Sequence, residues 1–361
     1  MSTIRVLHII ARMNVGGTAR YVGNLVESIP KSELATGFVQ GAEIEDPVTG
    51  HLPVHRIPHL GRKISPIDDF KSLLELRKLI HELKPEVVHT HTFKAGLLGR
   101  LIWGHHKKVH TFHGHLFDDH SFSQSQKYLI TFAERILAKR TDLLISVGEK
   151  VGSDLRAAGI GVNRDWISIP PGVTKLPKLE KGEARTLLKL HNESFVVGWM
   201  ARMTSVKNPM LMLEVARRLP NIQFVMAGGG DLLDQVRVVA PDNVSVIGWT
   251  NSSIFWSAVD CGLSTSDNEG MPIALIEAQL AGVPVVATNA GSNSEVIKNG
   301  VTGIITGHTV DEIVFDLESL VSDHELWLSM SAAAMELTAK DFTLESMVSQ
   351  HRQQYEDLFS G

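Results

Sequence analysis

Two α/β domains in tandem, each a doubly wound parallel sheet, are predicted by three observations. The chain has 361 residues, and a globular domain averages roughly 150, so the length fits two. Short runs rich in β-branched and aliphatic residues alternate with amphipathic stretches, as βαβ units around parallel sheets require. The alternation breaks once, at residues 168–181, where Pro170-Pro171-Gly172, Pro177 and mixed charges read as a linker.

The first series opens with a strand over Arg5–Ile10, passes the loop Asn14-Val15-Gly16-Gly17-Thr18 and enters a helix over Ala19–Ser28. In residues 70–82, Leu73, Leu74, Leu76, Leu79 and Ile80 recur at helical spacing with charges between them. Pro85 ends that helix, because the residue before a proline avoids the helical region, and Glu86–Thr90 then reads as a buried strand. Lys108–Phe112, Leu143–Val147 and Trp166–Pro170 continue the strands. After the linker come strands at Ser194–Met200, Gln223–Ala227, Val244–Ile247, Cys261–Ser264, Val283–Ala287 and Gly303–Ile305. Helices at Pro209–Arg218, Ile254–Val259 and Pro272–Ala281 lie between them. The chain finishes in a helix over Leu344–Gly361, with apolar Leu344, Met347 and Tyr355. No repeat of roughly 20–50 residues and no low-complexity tract is present.

Composition narrows the function class. Hydrophobic residues at 43% and charged residues at 21% supply two cores and exclude disorder. The single cysteine, Cys261, excludes an internal disulfide and a cysteine-rich zinc site, which fits a reducing cytoplasm. No uncharged apolar run reaches ~18 residues, so no membrane-spanning helix is expected. Arg5 and His8 cut the N-terminal apolar run and no small-residue cleavage site follows, so it is not a secretory signal. A net charge of −5 argues against nucleic acid as a partner. The charge is uneven: residues 1–175 hold 23 Lys+Arg against 17 Asp+Glu, and the rest hold 12 against 23. Opposite balances in the two halves point to two domains with different partners.

The segment richest in chemistry is 264–278, in which a strand runs through Asp267-Asn268-Glu269-Gly270-Met271 into a helix at Pro272, a residue suited to the first helical position. Free amides and the helix dipole make such a start an anion site, and Gly270 lets the backbone approach a phosphate. Ligands in these folds sit beyond the carboxyl ends of the strands. Glu269 lies in the loop at the ligand's edge, while Glu277, about one turn into the helix, can reach ribose hydroxyls. By spacing alone, both carboxylates read equally well as solvated charges near a helix start.

The spacing Glu269-x7-Glu277, with Ala278, Gly282, Pro284 and Val285, resembles that of retaining GT-B glycosyltransferases, in particular glycosyltransferase family 4. Arg202 and Lys207-Asn208 resemble the family's Gly-Arg-x4-Lys segment, with Ala201 in place of its glycine. Gly16-Gly17, Val87-Val88-His89-Thr90-His91, Thr111-Phe112-His113-Gly114, Gly291-x3-Glu295 and Gly300-x-Thr302-Gly303 keep the family's order. The single pieces are weak, but the ordered set covers most of the chain.

The resemblance implies a GT-B fold: an N-terminal acceptor domain over residues 1–172, a nucleotide-sugar domain over 173–343, helix 344–361 crossing back onto the first, and an active site in the cleft. It implies transfer of a hexose or N-acetylhexosamine from a nucleoside-diphosphate sugar, most readily a uridine one, to a saccharide or lipid-linked acceptor in cell-surface assembly. Arg202 and Lys207 would neutralise the diphosphate, with Gly270, Met271, Pro272 and Ile273 offering the helix start and Gly16 and Gly17 approaching the phosphates. Glu277 would bind the ribose, Glu269 the transferred sugar, and His113 the donor sugar from the N-terminal domain. The two cations remove the need for a metal, and the chain contains no Asp-x-Asp triplet.

Nine of the 17 histidines fall between His81 and His120. His89-x-His91 or His113-x-His115 could start a zinc site, since strand alternation puts each pair on one face, but no third ligand accompanies them in the sequence. The cluster Arg100, His105, His106, Lys107, Lys108 and His110 reads as a solvated surface or as a peripheral contact with anionic lipid at the inner face of the cell membrane. Three rival functions remain: a sugar-nucleotide epimerase on the same fold, with Asp118-Asp119 as acid/base candidates; a sugar-nucleotide-binding protein without catalysis; and a tandem dehydrogenase. The last lacks a Gly-x-Gly-x-x-Gly turn with an acidic residue some 20 positions on. Acceptor specificity would lie in the loops Arg56–Asp69 and His115–Gln126.

Overall fold

The computed structural model describes residues 4–41, 43–61, 65–115 and 123–360. Asp118-Asp119 and parts of both candidate acceptor loops lie outside them. The described residues divide into two compact units, one formed by those up to Gly172 together with Leu344 onward, the other by Val173–Thr343.

In the N-terminal unit the strands are β1 (Val6–Ile10), β2 (Ser32–Thr36), β3 (Val54–Arg56), β4 (Val87–His91), β5 (Lys107–Phe112), β6 (Leu143–Ser146) and β7 (Trp166–Ser168). They stand in the order β3-β2-β1-β4-β5-β6-β7, every pair parallel. The helices α1 (Gly17–Ser28), α2 (Pro66–Leu83), α3 (Phe93–Leu101), α4 (Gln124–Ala138) and α5 (Glu149–Ala157) connect them. Right-handed crossovers put α1 on one face of the sheet and α2, α3 and α4 on the other, and α3 packs against both of its neighbours. With both faces covered, β1, β4 and β6 are buried throughout. Strands β2 and β3 escape sequence analysis because Ser32, Glu33 and Thr36 carry little β-branched apolar character. Pairing with β1, Val6 opposite Ser32 and Ile10 opposite Thr36, holds β2 in place instead.

In the C-terminal unit α6 (Lys181–Leu188) precedes β8 (Val196–Met200), α7 (Pro209–Arg218), β9 (Gln223–Ala227), α8 (Leu233–Val239), β10 (Val244–Gly248), α9 (Ser252–Ala258) and β11 (Cys261–Ser264). Then follow α10 (Ile273–Leu280), β12 (Val285–Thr288), α11 (Asn293–Val296), β13 (Gly303–Thr306), α12 (Val310–Ser322) and α13 (His324–Asp341). The parallel sheet runs β10-β9-β8-β11-β12-β13. The helix expected from Pro272 begins one residue later: Pro272 is its cap, with ψ at 86°. The last helix, α14 (Leu344–Asp357), belongs to the N-terminal unit, where it packs on α1. Cys261 is fully buried in β11, and burial pushes its thiol pKa well up, so it is inert packing. The expected βαβ architecture, two Rossmann-like parallel sheets, is thus what the chain forms.

The basic cluster expected to form a surface is split by the fold. Arg100 and His110 are fully buried beneath α3 and His106 is nearly so, leaving His105, Lys107 and Lys108 toward solvent. Arg100 Nη2 donates to both oxygens of Glu134 on α4, at 2.8 and 2.7 Å, and its Nε donates to the Gly96 carbonyl at 2.9 Å. This is a desolvated ion pair, and removing one partner leaves the other charge unsolvated. Arg100→Met is expected to cost about 3–5 kcal/mol in urea unfolding, and adding Glu134→Leu to recover most of it. A double variant as unstable as the single one would show that packing, not the orphaned carboxylate, sets the cost.

Candidate active site

Both sheets reverse their direction of growth once, between β1 and β4 in the N-terminal unit and between β8 and β11 in the C-terminal unit. Loops on the two sides of a reversal diverge and leave the strand carboxyl ends open, which is where ligands bind in such folds. Most of the sequence-predicted residues lie in those loops.

In the C-terminal unit the loop after β8 carries half-buried Arg202 and Lys207, and the loop after β11 carries Glu269. Lys207 Nζ is 2.6 Å from Glu269 Oε2, and the Ser266 hydroxyl donates to Glu269 Oε1 at 2.7 Å, so the carboxylate is held at both oxygens. The backbone under these side chains is fixed from below. Thr265 Oγ1 donates toward the Lys207 and Asn208 carbonyls at 3.1 and 2.8 Å and accepts from Trp199 Nε1 at 3.0 Å. The Asp267 amide donates to the Val206 carbonyl at 2.9 Å. Asn208 sits in the left-handed region with φ 47°, turns the chain into α7 and caps it, its Oδ1 accepting from the Leu211 amide.

A third loop locks Glu269. Gly291 has φ 49°, and a Cβ there would run into the Glu269 backbone carbonyl, so only glycine lets the loop after β12 close down on it. The Ser292 amide donates to that same carbonyl at 3.3 Å. Ser266, Thr265 and Gly291 are what single-residue reasoning on Glu269 and Lys207 leaves out. The repeated small polar residues of Ser264-Thr265-Ser266 were the available clue, because a strand end rich in hydroxyls supplies local donors.

Gly270, Met271 and Ile273 are half-buried at the start of α10, and Pro272 is buried there. The Ile273 amide already donates to the Met271 carbonyl at 3.0 Å, so this turn is tighter than an open helix start. Glu277, expected to reach sideways, is buried on α10 and is not without a partner.

In the N-terminal unit Gly16 has φ 151° and precedes α1, whose first residue is Gly17. His113 follows β5 and is half-buried. It stands at the end of a histidine chain that the β-register builds. His8 on β1 lies opposite His89 on β4, and His91 opposite Thr111 on β5, so all their side chains share the face covered by α1 and α14. His8 Nδ1 is 3.1 Å from His91 Nε2, and His91 Nδ1 is 3.1 Å from His113 Nε2. His89 bonds Tyr355 Oη at 2.6 Å and Thr111 Oγ1 at 2.7 Å.

His8 thus supplies the third imidazole that the sequence did not reveal. His8, His89 and His91 offer nitrogens within 4.8 Å of one another, a grouping able to hold a metal ion. Their hydrogen bonds already account for both nitrogens of His89 and of His91. A metal would have to displace some of these bonds, and the three ligands are neutral, with no carboxylate among them to offset its charge.

Burial holds these rings neutral: it lowers His8 and His113 to about 3 and His351 to about 4, and puts His89 and His91 well below the ordinary 6.5. Neighbouring histidines lower His8, His89, His91 and His113 further. The protons can then be placed by hydrogen-bond accounting. His351 Nδ1 faces the Met347 carbonyl at 2.8 Å and must donate, so its Nε2 accepts from the Tyr21 hydroxyl at 3.1 Å. His8 Nε2 has no partner among the described residues. An unpaired lone pair is the cheaper orphan, so His8 and His91 donate from Nδ1, and His113 accepts at Nε2 and carries its proton on Nδ1.

Stability should follow this neutrality. Groups with depressed folded pKa values bind protons more readily when unfolded, so their contribution is full above pH 6.5 and drains as pH falls through 6.5 toward about 4 and then 3. The melting temperature is expected to be flat above pH 7 and to drop steeply between pH 6.5 and 4, measured by calorimetry. A flat profile down to pH 4 would contradict neutral burial.

Among the described residues, no helix is long and apolar enough to cross a membrane. Residues 181–336 match the family model for glycosyl transferases group 1, and residues 16–172 match that for the glycosyl transferase 4-like domain. A curated relative, the UDP-Gal:alpha-D-GlcNAc-diphosphoundecaprenol alpha-1,3-galactosyltransferase of Escherichia coli, is 27% identical over 99% of this chain and 98% of its own. Among solved structures, sucrose-phosphate synthase from Thermosynechococcus elongatus superposes with a TM-score of 0.83 at 18% identity, covering 99% of both chains. Anabaena HepE in complex with UDP-glucose gives 0.83 at 18% identity, covering 98% of this chain and all of that one. With one domain model matched on each unit and whole-chain likeness to known transferases, the chain belongs to the GT-B glycosyltransferases.

Proposed function

We propose that the enzyme moves a hexose or N-acetylhexosamine from a UDP-sugar to a hydroxyl of a lipid-linked or saccharide acceptor, with retention at the anomeric carbon, in cell-surface polysaccharide or glycolipid assembly at the cytoplasmic side of the membrane. The observation that carries this reading is the Lys207–Glu269 pair, held at the β8/β11 reversal beside Arg202 and the start of α10. The uridine donor and lipid-linked acceptor are supported by the activity of the Escherichia coli relative, and the donor by the UDP-glucose complex of HepE.

In this reading the bond from the anomeric carbon to the diphosphate oxygen breaks with its electron pair on the oxygen. A bond from that carbon to the acceptor oxygen forms on the same face, and the acceptor proton passes to the departing phosphate. The barrier falls to the extent that charge growing on the leaving oxygen meets cations already in place. Lys207 and Arg202 do this without a metal, and the Glu269 partnership keeps the Lys207 side chain oriented before the donor arrives. Glu269 meets the transferred sugar and Glu277 the ribose. From the N-terminal unit, Gly16 and Gly17 meet the phosphates, and His113 offers its Nδ1 proton to a sugar oxygen.

Calorimetric titration with UDP, GDP and ADP, each with and without EDTA, tests the donor class. Selective UDP binding unaffected by EDTA is expected; a GDP or ADP preference overturns the uridine assignment, and loss of binding in EDTA overturns metal independence. Lys207→Ala is expected to lower kcat by roughly 10²-fold or more while melting within a few degrees of wild type. Near-wild-type turnover would remove Lys207 from the phosphate site. Glu277→Ala should weaken UDP binding about tenfold, the loss of one charge-assisted contact, and unchanged affinity would end the ribose role.

A further inference from the structure

The row of histidines in the N-terminal unit has two possible proton arrangements, and they differ in what His113 presents. His91, fully buried at the end of β4, links fully buried His8 on β1 to half-buried His113 beyond β5, with a 3.1 Å bond at each of its nitrogens. A neutral imidazole donates from one nitrogen and accepts at the other, so the proton on each ring dictates the proton on the next. In one arrangement His8 and His91 donate from Nδ1, and His113 shows an N–H at Nδ1. In the other His113 and His91 donate from Nε2, His8 carries its proton on Nε2, and His113 shows a bare lone pair at Nδ1. The inner end of the row breaks the tie. His8 Nε2 has no partner among the described residues, and an N–H stranded there costs more than a stranded lone pair. What His8 cannot bond on β1 therefore fixes what His113 shows two strands away.

Packing holds the rings in this row. The His8 and His91 planes lie 19° apart with centroids at 5.4 Å, the near-coplanar arrangement that suits an N–H···N bond. Tyr21 on α1 stands edge-on to His113, 4.9 Å away at 90°, and its hydroxyl bonds His351 instead of competing for the row. His89 lies against His91 at 4.2 Å but spends both nitrogens on Tyr355 and Thr111. We propose that His91, anchored by His8, is a positioning residue for sugar transfer: it keeps the His113 proton on Nδ1, so that His113 meets the sugar as a donor. The inference rests on the reading that sets His113 against the transferred sugar. A sugar hydroxyl that accepts from His113 keeps its own proton for a second partner, whereas one that must donate to a bare Nδ1 loses that second bond.

Asparagine and aspartate are isosteric, and each sets a polar atom one bond from Cγ, as histidine sets Nδ1. In His91→Asn the amide donates to His113 Nε2 and keeps the arrangement. In His91→Asp the carboxylate only accepts, and draws the His113 proton onto Nε2, as a carboxylate fixes the tautomer of a histidine it faces. The full chain is labelled with nitrogen-15 histidine, and the protonated ring nitrogen of His113 is read from two-bond proton–nitrogen correlations at about pH 9, where imidazole is neutral. The His113 signal is the one missing from His113→Ala. Wild type and His91→Asn should carry the proton on Nδ1, and His91→Asp on Nε2. Turnover is read as UDP release from UDP-glucose, UDP-galactose and their N-acetylated forms. His91→Asp should lower kcat/KM about tenfold, the loss of one hydrogen bond, with His91→Asn within about threefold of wild type. UDP, which lacks the sugar, should bind both variants as it binds wild type. The proposal is overturned if wild-type His113 carries its proton on Nε2, a result that needs no variant to fold. It is overturned too if His91→Asn loses as much turnover as His91→Asp, since His91 would then only fill space, or if His91→Asp matches wild type while His113→Ala is impaired. Unimpaired turnover by His113→Ala would instead remove His113 from the sugar, and the reading beneath the inference would fall with it.

Discussion

The constraint on which the structure depends is the handedness of the β-crossover. A right-twisted strand returning through a helix packs back onto its sheet in one hand only, so a sheet covered on both faces must reverse its growth once. Each unit does so, at β1/β4 and at β8/β11, and there the loops part at the strand ends. Lys207 and Glu269 are 62 positions apart, and what brings their side chains to 2.6 Å is that β8 and β11 are neighbours across the reversal.

The same register argument explains the interior of the N-terminal unit. Histidines on adjacent parallel strands fall opposite one another, so His8, His89 and His91 stack in a layer that apolar residues would ordinarily fill. Such a layer is affordable only with its polar atoms paired. The pairing comes from α1 through Tyr21 and from α14 through His351 and Tyr355, the latter 266 positions from its partner His89. The C-terminal helix is therefore tied to the first sheet by specific hydrogen bonds as well as by apolar contact, and the ends of the chain meet in one unit.

Strand and helix alternation was legible because buried parallel strands are short apolar runs. Cys261–Ser264, Gln223–Ala227 and the helix Pro209–Arg218 fall where periodicity put them. The two strands at the far edge were not legible, since Ser32–Thr36 and Val54–Arg56 owe their conformation to the neighbour they pair with. At the site, Glu269 and Lys207 were readable as residues but not as a pair. The distance between them depends on Thr265, Ser266 and Gly291, whose contribution is geometric: the run of hydroxyls and the glycine are visible in the sequence, but not which atoms they hold. The third histidine of the buried group was hidden for the same reason: His8 lies 81 positions before His89, and only the register β1/β4 joins them. The basic run 100–110 misled in the opposite direction, because a charge run carries no record that Arg100 finds a buried carboxylate on the next helix.

Charge separates what each unit can hold. The segment after residue 175 carries 12 cationic against 23 acidic residues, so its overall field opposes an anionic ligand. That field is screened beyond about 8 Å at physiological ionic strength, whereas contacts within the site act at 3 Å or so and scarcely feel the screening. On the proposed function, recognition of a diphosphate by this unit is therefore local, through cations fixed in place, with Glu269 holding Lys207 where the loop after β8 delivers it. The first half, with 23 cationic against 17 acidic residues, has the opposite problem. Its cations not consumed by internal pairs such as Arg100–Glu134 and Lys94–Asp69 are spread over a surface, where attraction is long-ranged, weak and dependent on many contacts at once. A compact ligand suits the first arrangement and an extended charged surface suits the second, so the asymmetry between the halves matches a division of labour between gripping a small anion and facing a large one.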